Sequence, residues 1–125
     1  MKTILLVDDD PLIIHVYRGP LQRAGYNVEV AEDGLMAMKL LVPLQPAVVV
    51  LDVMMPKMDG QYVLQYIRSK PDLQGTKVIV LSNAAMADAG KATIVQNPDR
   101  AFLKSEITPK ELLKSINELL GADGN

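Results

Sequence analysis

Cysteine is absent from this chain of 125 residues, and histidine occurs once, at His15. Without cysteine the chain can form neither a disulfide framework nor a thiolate metal site. A single imidazole does not support a metal site either, so we expect His15 to be a surface or partly packed residue of the first helix. The absence of disulfides fits the cytoplasm, which is the location we predict.

The sequence also lacks a long apolar run. The longest uncharged apolar stretch, Leu40 to Leu51, is interrupted by Pro43, Gln45 and Pro46, and it is shorter than the roughly 18 residues of a membrane span. The first strand reaches three aspartates too soon for a signal peptide. The net charge is −2, and no basic stripe of the kind that binds nucleic acid is present. We therefore expect a soluble protein that contacts neither membrane nor nucleic acid directly.

Short apolar runs rich in Val, Ile and Leu alternate along the chain with longer amphipathic runs. The predicted strands are Thr3–Val7, Val28–Ala31, Ala47–Leu51, Lys77–Leu81 and Ala101–Leu103. Strands that are nearly continuous in apolar residues are typical of a parallel sheet covered on both faces. Strand-then-helix units with short connections indicate an α/β fold of three layers, a doubly wound parallel sheet of five strands. We predict one domain over residues 1–120 and a flexible tail or linker start over 121–125.

Capping residues and prolines mark the ends of the predicted helices. The ranges are 11–24, 34–42, 60–69, a segment within 84–95, and a last helix that begins after Thr108. Pro20 falls inside the first helix, where we expect it to cause a kink or break, and Pro43 is expected to end the second. Thr108 and Glu111 form a capping box, which makes the start of the last helix the clearest of these boundaries.

Polar side chains follow four of the five predicted strands, at the sheet edge where ligands bind in folds of this type. They are Asp8, Asp9 and Asp10 after the first strand, Asp52 after the third, Ser82 after the fourth and Lys104 after the fifth. Clustered carboxylates repel one another, and Mg²⁺, which prefers oxygen ligands, removes that conflict. An ammonium group and a hydroxyl suit the oxygens of a transferring phosphoryl group, and one carboxylate can be its nucleophile. Asp10 is expected to cap the first helix.

Several stretches resemble bacterial two-component response-regulator receiver domains, in particular single-domain regulators of the chemotaxis type. The stretches are Leu6 to Asp10, Asp52 to Gly60 with the sequence DVMMPKMDG, Val80 to Ser82, and Phe102 to Lys104. The likeness covers nearly the whole chain and implies a flavodoxin-like strand order of 2-1-3-4-5. It also implies a sensor histidine kinase or histidine phosphotransfer protein as phosphoryl donor. A downstream protein would dock on the face formed by the fourth helix, fifth strand and fifth helix, where a weak homodimer could also form.

The resemblance assigns a role to each residue at the sheet edge. Asp52 would be the phosphoacceptor, Ser82 would bind a phosphoryl oxygen, and Lys104 would pair with the phosphoryl group. The implied Mg²⁺ ligands are Asp8, acting through water, Asp9, Asp52 and the Met54 backbone carbonyl. Such a domain is not a conventional enzyme, because it only gains and loses its own phosphoryl group. Met54 and Ala84 offer no group to orient an attacking water, which leads us to hypothesise slow self-dephosphorylation.

Two of the departures from the family pattern lie in or just after the fifth predicted strand. Ala101 stands where an aromatic residue is usual, and Phe102, one place later, should point to the opposite face of its strand. Lys104 is followed by Ser105 instead of proline, so we expect a trans peptide bond there. These departures leave open a degenerate receiver that binds partners without phosphorylation. A small-molecule phosphatase that works through an aspartyl phosphate is less favoured, because those enzymes usually carry a second acid where this chain has Met54.

Overall fold

A parallel five-stranded sheet forms the centre of the computed structural model, which describes residues 2–53, 60–82 and 98–121. Its strands are β1 (Thr3–Val7), β2 (Asn27–Ala31), β3 (Val48–Asp52), β4 (Lys77–Ser82) and β5 (Arg100–Leu103). They lie in the order β2-β1-β3-β4-β5, and every neighbouring pair is parallel. The α/β class, the doubly wound sheet and the strand order are thereby confirmed.

Helices cover both faces of the sheet. They are α1 (Pro11–Arg23), α2 (Gly34–Leu44), α3 (Gly60–Ser69) and the C-terminal helix (Pro109–Leu120), and a short 3₁₀ turn follows α3 at Pro71–Leu73. The predicted helix within 84–95 lies outside the described residues. No helix in the described part of the chain is long and apolar enough to cross a membrane.

Two buried clusters, one on each face of the sheet, hold the three layers together. Along β1, Leu5 and Val7 pack with α2 and α3, whereas Ile4 and Leu6 pack with α1 and the C-terminal helix. The strands β3 and β4 alternate in the same way. Alternate side chains of a strand point to opposite faces, so strands covered on both sides must be apolar throughout. This is why the sequence shows them as nearly continuous apolar runs.

The helix α1 passes through Pro20 without interruption, so of the predicted kink or break the break does not occur. A proline at this position removes the hydrogen bond to the carbonyl of Val16. Val16 is exposed, so water can satisfy that carbonyl and the cost of the proline is reduced. The predicted ends of α1 are confirmed: the Asp10 side chain accepts from the backbone N–H of Leu12 at 2.9 Å, and Gly25 follows the helix at φ 99°.

The end of α2 was also predicted incorrectly. The helix continues through Pro43 to Leu44, and Gln45 then adopts a left-handed conformation at φ 45°. Proline in the last turn removes only the bond to the carbonyl of Lys39, an exposed residue. The N–H of Gln45 bonds to the carbonyl of Leu41 at 2.8 Å and closes the helix instead.

The C-terminal helix begins as the sequence predicts. The Thr108 hydroxyl accepts from the N–H of Glu111 at 3.1 Å, and the Glu111 carboxylate accepts from the N–H of Thr108 at 3.0 Å. This reciprocal pair satisfies two backbone donors that a helix start leaves unpaired. The helix ends at Gly121, whose φ of 64° suits a residue without a side chain.

Candidate active site

The carboxyl ends of the strands are level, which brings the predicted site residues to one edge of the sheet. In the ladder Val7 of β1 lies opposite Leu51 of β3, and Ser82 of β4 lies opposite Leu103 of β5. Asp8, Asp52, Ser82 and Lys104 are the residues at or just after those four positions. Tertiary pairing of the strands therefore sets the geometry of the site.

Lys104 bridges the two buried carboxylates of this edge. Its ammonium Nζ donates to Asp52 Oδ2 at 2.7 Å and pairs with Asp8 Oδ2 at 3.2 Å. The Asp52 side chain is 2% exposed and that of Lys104 16%. A buried carboxylate is costly unless it is paired and hydrogen-bonded. The single ammonium group thus compensates two charges that would otherwise be buried alone.

Asp8 is held by its backbone as well as by Lys104. Its N–H donates to the carbonyl of Ala31 on β2 at 3.0 Å, which extends the sheet ladder by one residue. Its Oδ1 accepts from the N–H of Asp10 at 2.9 Å. The predicted capping residue Asp10 therefore also anchors Asp8, a contact that the sequence did not indicate.

Asp9 completes an acidic cluster on the exposed side of the site. Asp8, Asp9 and Asp52 each offer a carboxylate oxygen, and these oxygens lie within 4.8 Å of one another. Asp8 and Asp52 are buried, while Asp9 is exposed. Hard oxygen donors at this spacing suit Mg²⁺ or another hard divalent cation. The predicted fourth ligand, the Met54 carbonyl, lies outside the described residues.

Burial and the neighbouring charges shift the pKa values of Asp8 and Lys104. Burial, together with the negative charge of Asp52, raises the pKa of Asp8, although the hydrogen bond from Asp10 and the charge of Lys104 oppose this. Burial alone would lower the pKa of Lys104, but the hydrogen bonds and charges of the two aspartates outweigh it and raise the pKa. One ammonium group faces three carboxylates, so the cluster retains an excess of negative charge that a divalent cation would offset.

Ser82 and Lys104 are tied to each other through the backbone. The N–H of Lys104 donates to the carbonyl of Ser82 at 2.6 Å, directly beyond the last pair of the β4–β5 ladder. The chain then turns, and the N–H of Glu106 bonds to the carbonyl of Leu103 at 3.0 Å. The peptide bond to Ser105 is trans, as predicted. The lysine keeps its place at the site although the usual proline is absent.

Phe102 and Ala101 occupy opposite faces of β5, as the one-residue shift predicts. Phe102 packs against the cluster of α1 and the C-terminal helix, while Ala101 is exposed on the other face. Phe102 therefore does not take the place of the aromatic residue that the family usually has at position 101. The predicted surface position of His15 is confirmed.

Tyr17 is a residue near the site that sequence reasoning missed. It is buried on α1 and lines a small cavity together with Asp8. It lies one turn after Ile13 and one turn before Leu21, so it looks like an ordinary member of an apolar helix stripe. A tyrosine hydroxyl in such a stripe, on the helix that follows the acidic residues, is the signal that was available.

The fold and site define an α/β domain with carboxylates and a lysine at the carboxyl edge of a parallel sheet. A family model described as the response regulator receiver domain matches residues 4–117. The chain therefore belongs to the receiver-domain family of two-component response regulators. Receiver domains are signalling domains that interact with histidine kinases, and phosphorylation and Mg²⁺ binding are characteristic of the family.

Two curated relatives are longer than this chain. The response regulator MprA of Mycobacterium sp. strain KMS is 46% identical over 117 residues, which is 94% of this chain and 50% of that protein. The DNA-binding dual master transcriptional regulator RpaA of Synechocystis sp. is 40% identical over 82 residues, 66% of this chain and 34% of that protein. The chain spans half or less of the length of both. The name of the second relative gives no support to the prediction that nucleic acid is not a partner.

A solved structure confirms the fold. The receiver domain of the sensor histidine kinase PA1611 from Pseudomonas aeruginosa matches with a TM-score of 0.84 and covers 96% of this chain and 98% of that one. The two sequences are 22% identical, so the likeness concerns the fold alone. That neighbour has a magnesium ion coordinated in its active-site cleft.

Proposed function

We propose that this domain accepts a phosphoryl group on Asp52 in a Mg²⁺-dependent reaction and changes conformation in response. The donor would be a phosphohistidine on a sensor histidine kinase or a phosphotransfer protein. The observation that carries the proposal is the setting of Asp52. Its buried carboxylate is held 2.7 Å from the Lys104 ammonium, and oxygens of Asp8 and Asp9 lie within 4.8 Å. A carboxylate that is only structural has no need of two further acids beside it.

The transfer would be a displacement at phosphorus. A carboxylate oxygen of Asp52 forms the new P–O bond while the P–N bond to the donor imidazole breaks, and the imidazole takes up a proton as it leaves. Catalysis of this kind depends mostly on positioning and charge stabilisation. Lys104, whose raised pKa keeps it cationic, would neutralise charge on the phosphoryl oxygens. Ser82 at the end of β4 would donate its hydroxyl to one of those oxygens.

The residues present fit a Mg²⁺ site. Asp8, Asp9 and Asp52 would hold the ion, with the Met54 carbonyl as a further ligand. When bound, Mg²⁺ supplies the charge that allows three carboxylates to remain ionised together and that offsets the phosphoryl group. Lys104 already pairs with both Asp8 and Asp52. It would therefore share these two carboxylates with the metal.

Exposed apolar side chains beside the site support a protein as the donor. Leu12 at the start of α1 and Leu35 at the start of α2 are 67% and 65% exposed, and Met36 is exposed next to them. All three lie where helices leave the carboxyl edge of the sheet. An open cleft of about 480 Å³ separates the same ends of α1 and α2 and is lined in part by Met36. Apolar groups gathered beside polar ones are typical of protein-interaction sites.

A second candidate function concerns the surface through which the domain would act on a downstream protein. We propose that a downstream protein docks on β5, the C-terminal helix and the predicted helix within 84–95. Ala101 provides no aromatic ring on its face of β5, and Phe102 packs on the other face, against α1 and the C-terminal helix. This observation favours, as the alternative, a domain that binds its partner without phosphorylation. Self-dephosphorylation is expected to be slow, and the domain is proposed to span residues 1–120.

The deciding experiment is phosphorylation with acetyl phosphate, with and without Mg²⁺, followed by intact-mass measurement. The wild type should gain one phosphoryl group only when Mg²⁺ is present, and Asp52→Asn should gain none. Asp72→Asn is the matched control, because Asp72 is an exposed aspartate in the 3₁₀ turn and should leave the gain unchanged. If neither the wild type nor the control gained mass, the phosphorylation-independent binding domain would be the better description.

A further inference from the structure

Tyr17 places a buried phenol beside the acidic cluster. The residue is 5% exposed, and its ring packs in the cluster between the sheet, α1 and the C-terminal helix. No hydrogen bond to its hydroxyl is formed within the described part of the chain, and no buried polar side-chain atom there lacks a partner, so this hydroxyl is reached by water. Tyrosines packed in a core usually hydrogen-bond through their hydroxyl, and for Tyr17 the partner that remains is water.

A small cavity joins this hydroxyl-bearing residue to Asp8. Its volume is about 10 Å³, and its lining consists of Asp8, Tyr17 and the apolar residues Leu6, Val7, Ile13, Ile14, Val50 and Leu81. A space of this size accommodates one water molecule, which needs at least two polar partners to remain in a protein. The polar side chains of the lining are Asp8 and Tyr17. The cavity is thus large enough for one water and has two polar groups to hold it.

The charges around Tyr17 agree with this placement. Burial raises the pKa of Tyr17; the charge of Lys104 lowers it, and those of Asp8 and Asp52 raise it. The phenol therefore feels the charged groups of the site and stays protonated near neutral pH. A protonated phenol can donate a hydrogen bond, which is what a carboxylate in an apolar setting requires.

We propose that Tyr17 is a positioning residue for Asp8: its hydroxyl, through one water molecule in this cavity, holds the Asp8 carboxylate ready to bind Mg²⁺. The inference rests on the proposed function, since it assigns Asp8 to the metal site. The two oxygens of Asp8 already accept from Asp10 and Lys104, and a carboxylate has about four acceptor positions. Partners that hydrogen-bond to a metal ligand set its orientation and its affinity for the ion.

Mg²⁺ binding by Tyr17→Phe, measured by isothermal titration calorimetry, tests this role. The substitution removes only the hydroxyl and keeps the ring that packs in the core. We expect the affinity for Mg²⁺ to fall about tenfold, the lower end of the effect of losing such a partner. The rate of phosphorylation by acetyl phosphate should fall at low Mg²⁺ and recover when the metal is saturating. If Tyr17 served packing alone, its substitution would not lower the phosphorylation rate at low Mg²⁺ while leaving it unchanged at saturating Mg²⁺.

Two control variants test whether the effect is specific to the Tyr17 hydroxyl. Tyr26→Phe removes another tyrosine hydroxyl, which bonds to Asn117 of the C-terminal helix, and Ile13→Val changes the packing of the same cavity. Both should keep the wild-type affinity for Mg²⁺. The inference is overturned if Tyr17→Phe binds Mg²⁺ as the wild type does, or if either control loses as much affinity. A wild type that bound no Mg²⁺ would overturn the metal part of the proposed function as well.

Discussion

The acidic centre of the site and the fifth strand are held in place by different forces. Asp8 and Asp52 are 4% and 2% exposed. Asp8 directly follows β1 and Asp52 ends β3, and nearly all residues of these two strands are buried. β5 is an edge strand with little buried surface. Ion pairs secure its start, where Asp99 pairs with Arg68 of α3 at 3.0 Å. Packing thus fixes the acidic centre, whereas partly exposed charges fix the edge strand.

Asp99, directly before β5, makes two of the contacts that hold this edge strand in place. Its Oδ2 accepts from the N–H of Val78 on β4 at 2.7 Å as well as from Arg68. Arg100, the next residue, donates to Glu118 of the C-terminal helix at 3.1 Å. Exposed ion pairs contribute little and are screened by salt. These ion pairs therefore hold β5 more weakly than burial holds β1 or β3.

Lys104 belongs to both regions, so its replacement should have the largest effect. In Lys104→Met the two buried carboxylates lose their cation, and the rate of phosphorylation by acetyl phosphate should fall about 100-fold. The free energy of unfolding should drop by about 3 kcal/mol, and Mg²⁺ should restore part of it by replacing the lost charge. Phosphorylation kinetics and urea unfolding with and without Mg²⁺ measure both effects. Lys77→Met, at the opposite end of β4, is the control and should leave both unchanged.

The pH dependence of stability tests whether the burial of Asp8 is costly. The folded-state pKa of Asp8 lies above its ordinary value of 3.8, so the folded state binds more protons than the unfolded state in the interval between the two. Stability must therefore fall as pH rises through that interval, in the absence of Mg²⁺. Asp8→Asn removes this titration, so the wild type should lose stability relative to the variant as the pH increases. Urea unfolding of both proteins at a series of pH values would show it, and parallel curves would contradict it.

The smallest expected effect concerns the ion pair between β5 and the C-terminal helix. Glu118→Gln should lower the free energy of unfolding by less than about 0.5 kcal/mol, because both side chains are more than a third exposed. The difference should shrink further in 1 M salt, and phosphorylation should be unaffected. Unfolding in urea at low and high salt measures it. A loss comparable to that of Lys104→Met would show that β5 is held more firmly than its exposure indicates.

Local patterns predicted the centre of the molecule well and its exceptions badly. Runs such as Thr3–Val7 are strands because both faces of the sheet bury their side chains, and this burial is visible in the sequence. Pro43 was expected to end a helix and Pro20 to kink or break one, yet α1 and α2 continue through these residues. The rule for proline counts one lost hydrogen bond, whereas packing of the whole helix against the sheet decides the outcome.

Contacts between distant parts of the chain explain the rest of the difference. The strand ends predicted which side chains gather at one edge of the sheet, but not the contact of one lysine with two carboxylates. Nor could a sequence pattern have paired Asp99 with Arg68 or placed the Tyr17 ring beside Asp8. Each of these contacts depends on the relative position of elements that are far apart in sequence.

The bridge from Lys104 to Asp8 also bears on protein synthesis. Asp8 is synthesised directly after β1, whereas Lys104 is synthesised only after β4 and β5. A growing chain on the ribosome therefore has the carboxylates before it has the ammonium group that neutralises them. Under the proposed function, such a chain becomes able to accept a phosphoryl group only once β5 has joined the sheet. An incomplete chain would in this way fail to compete with finished molecules for the donor.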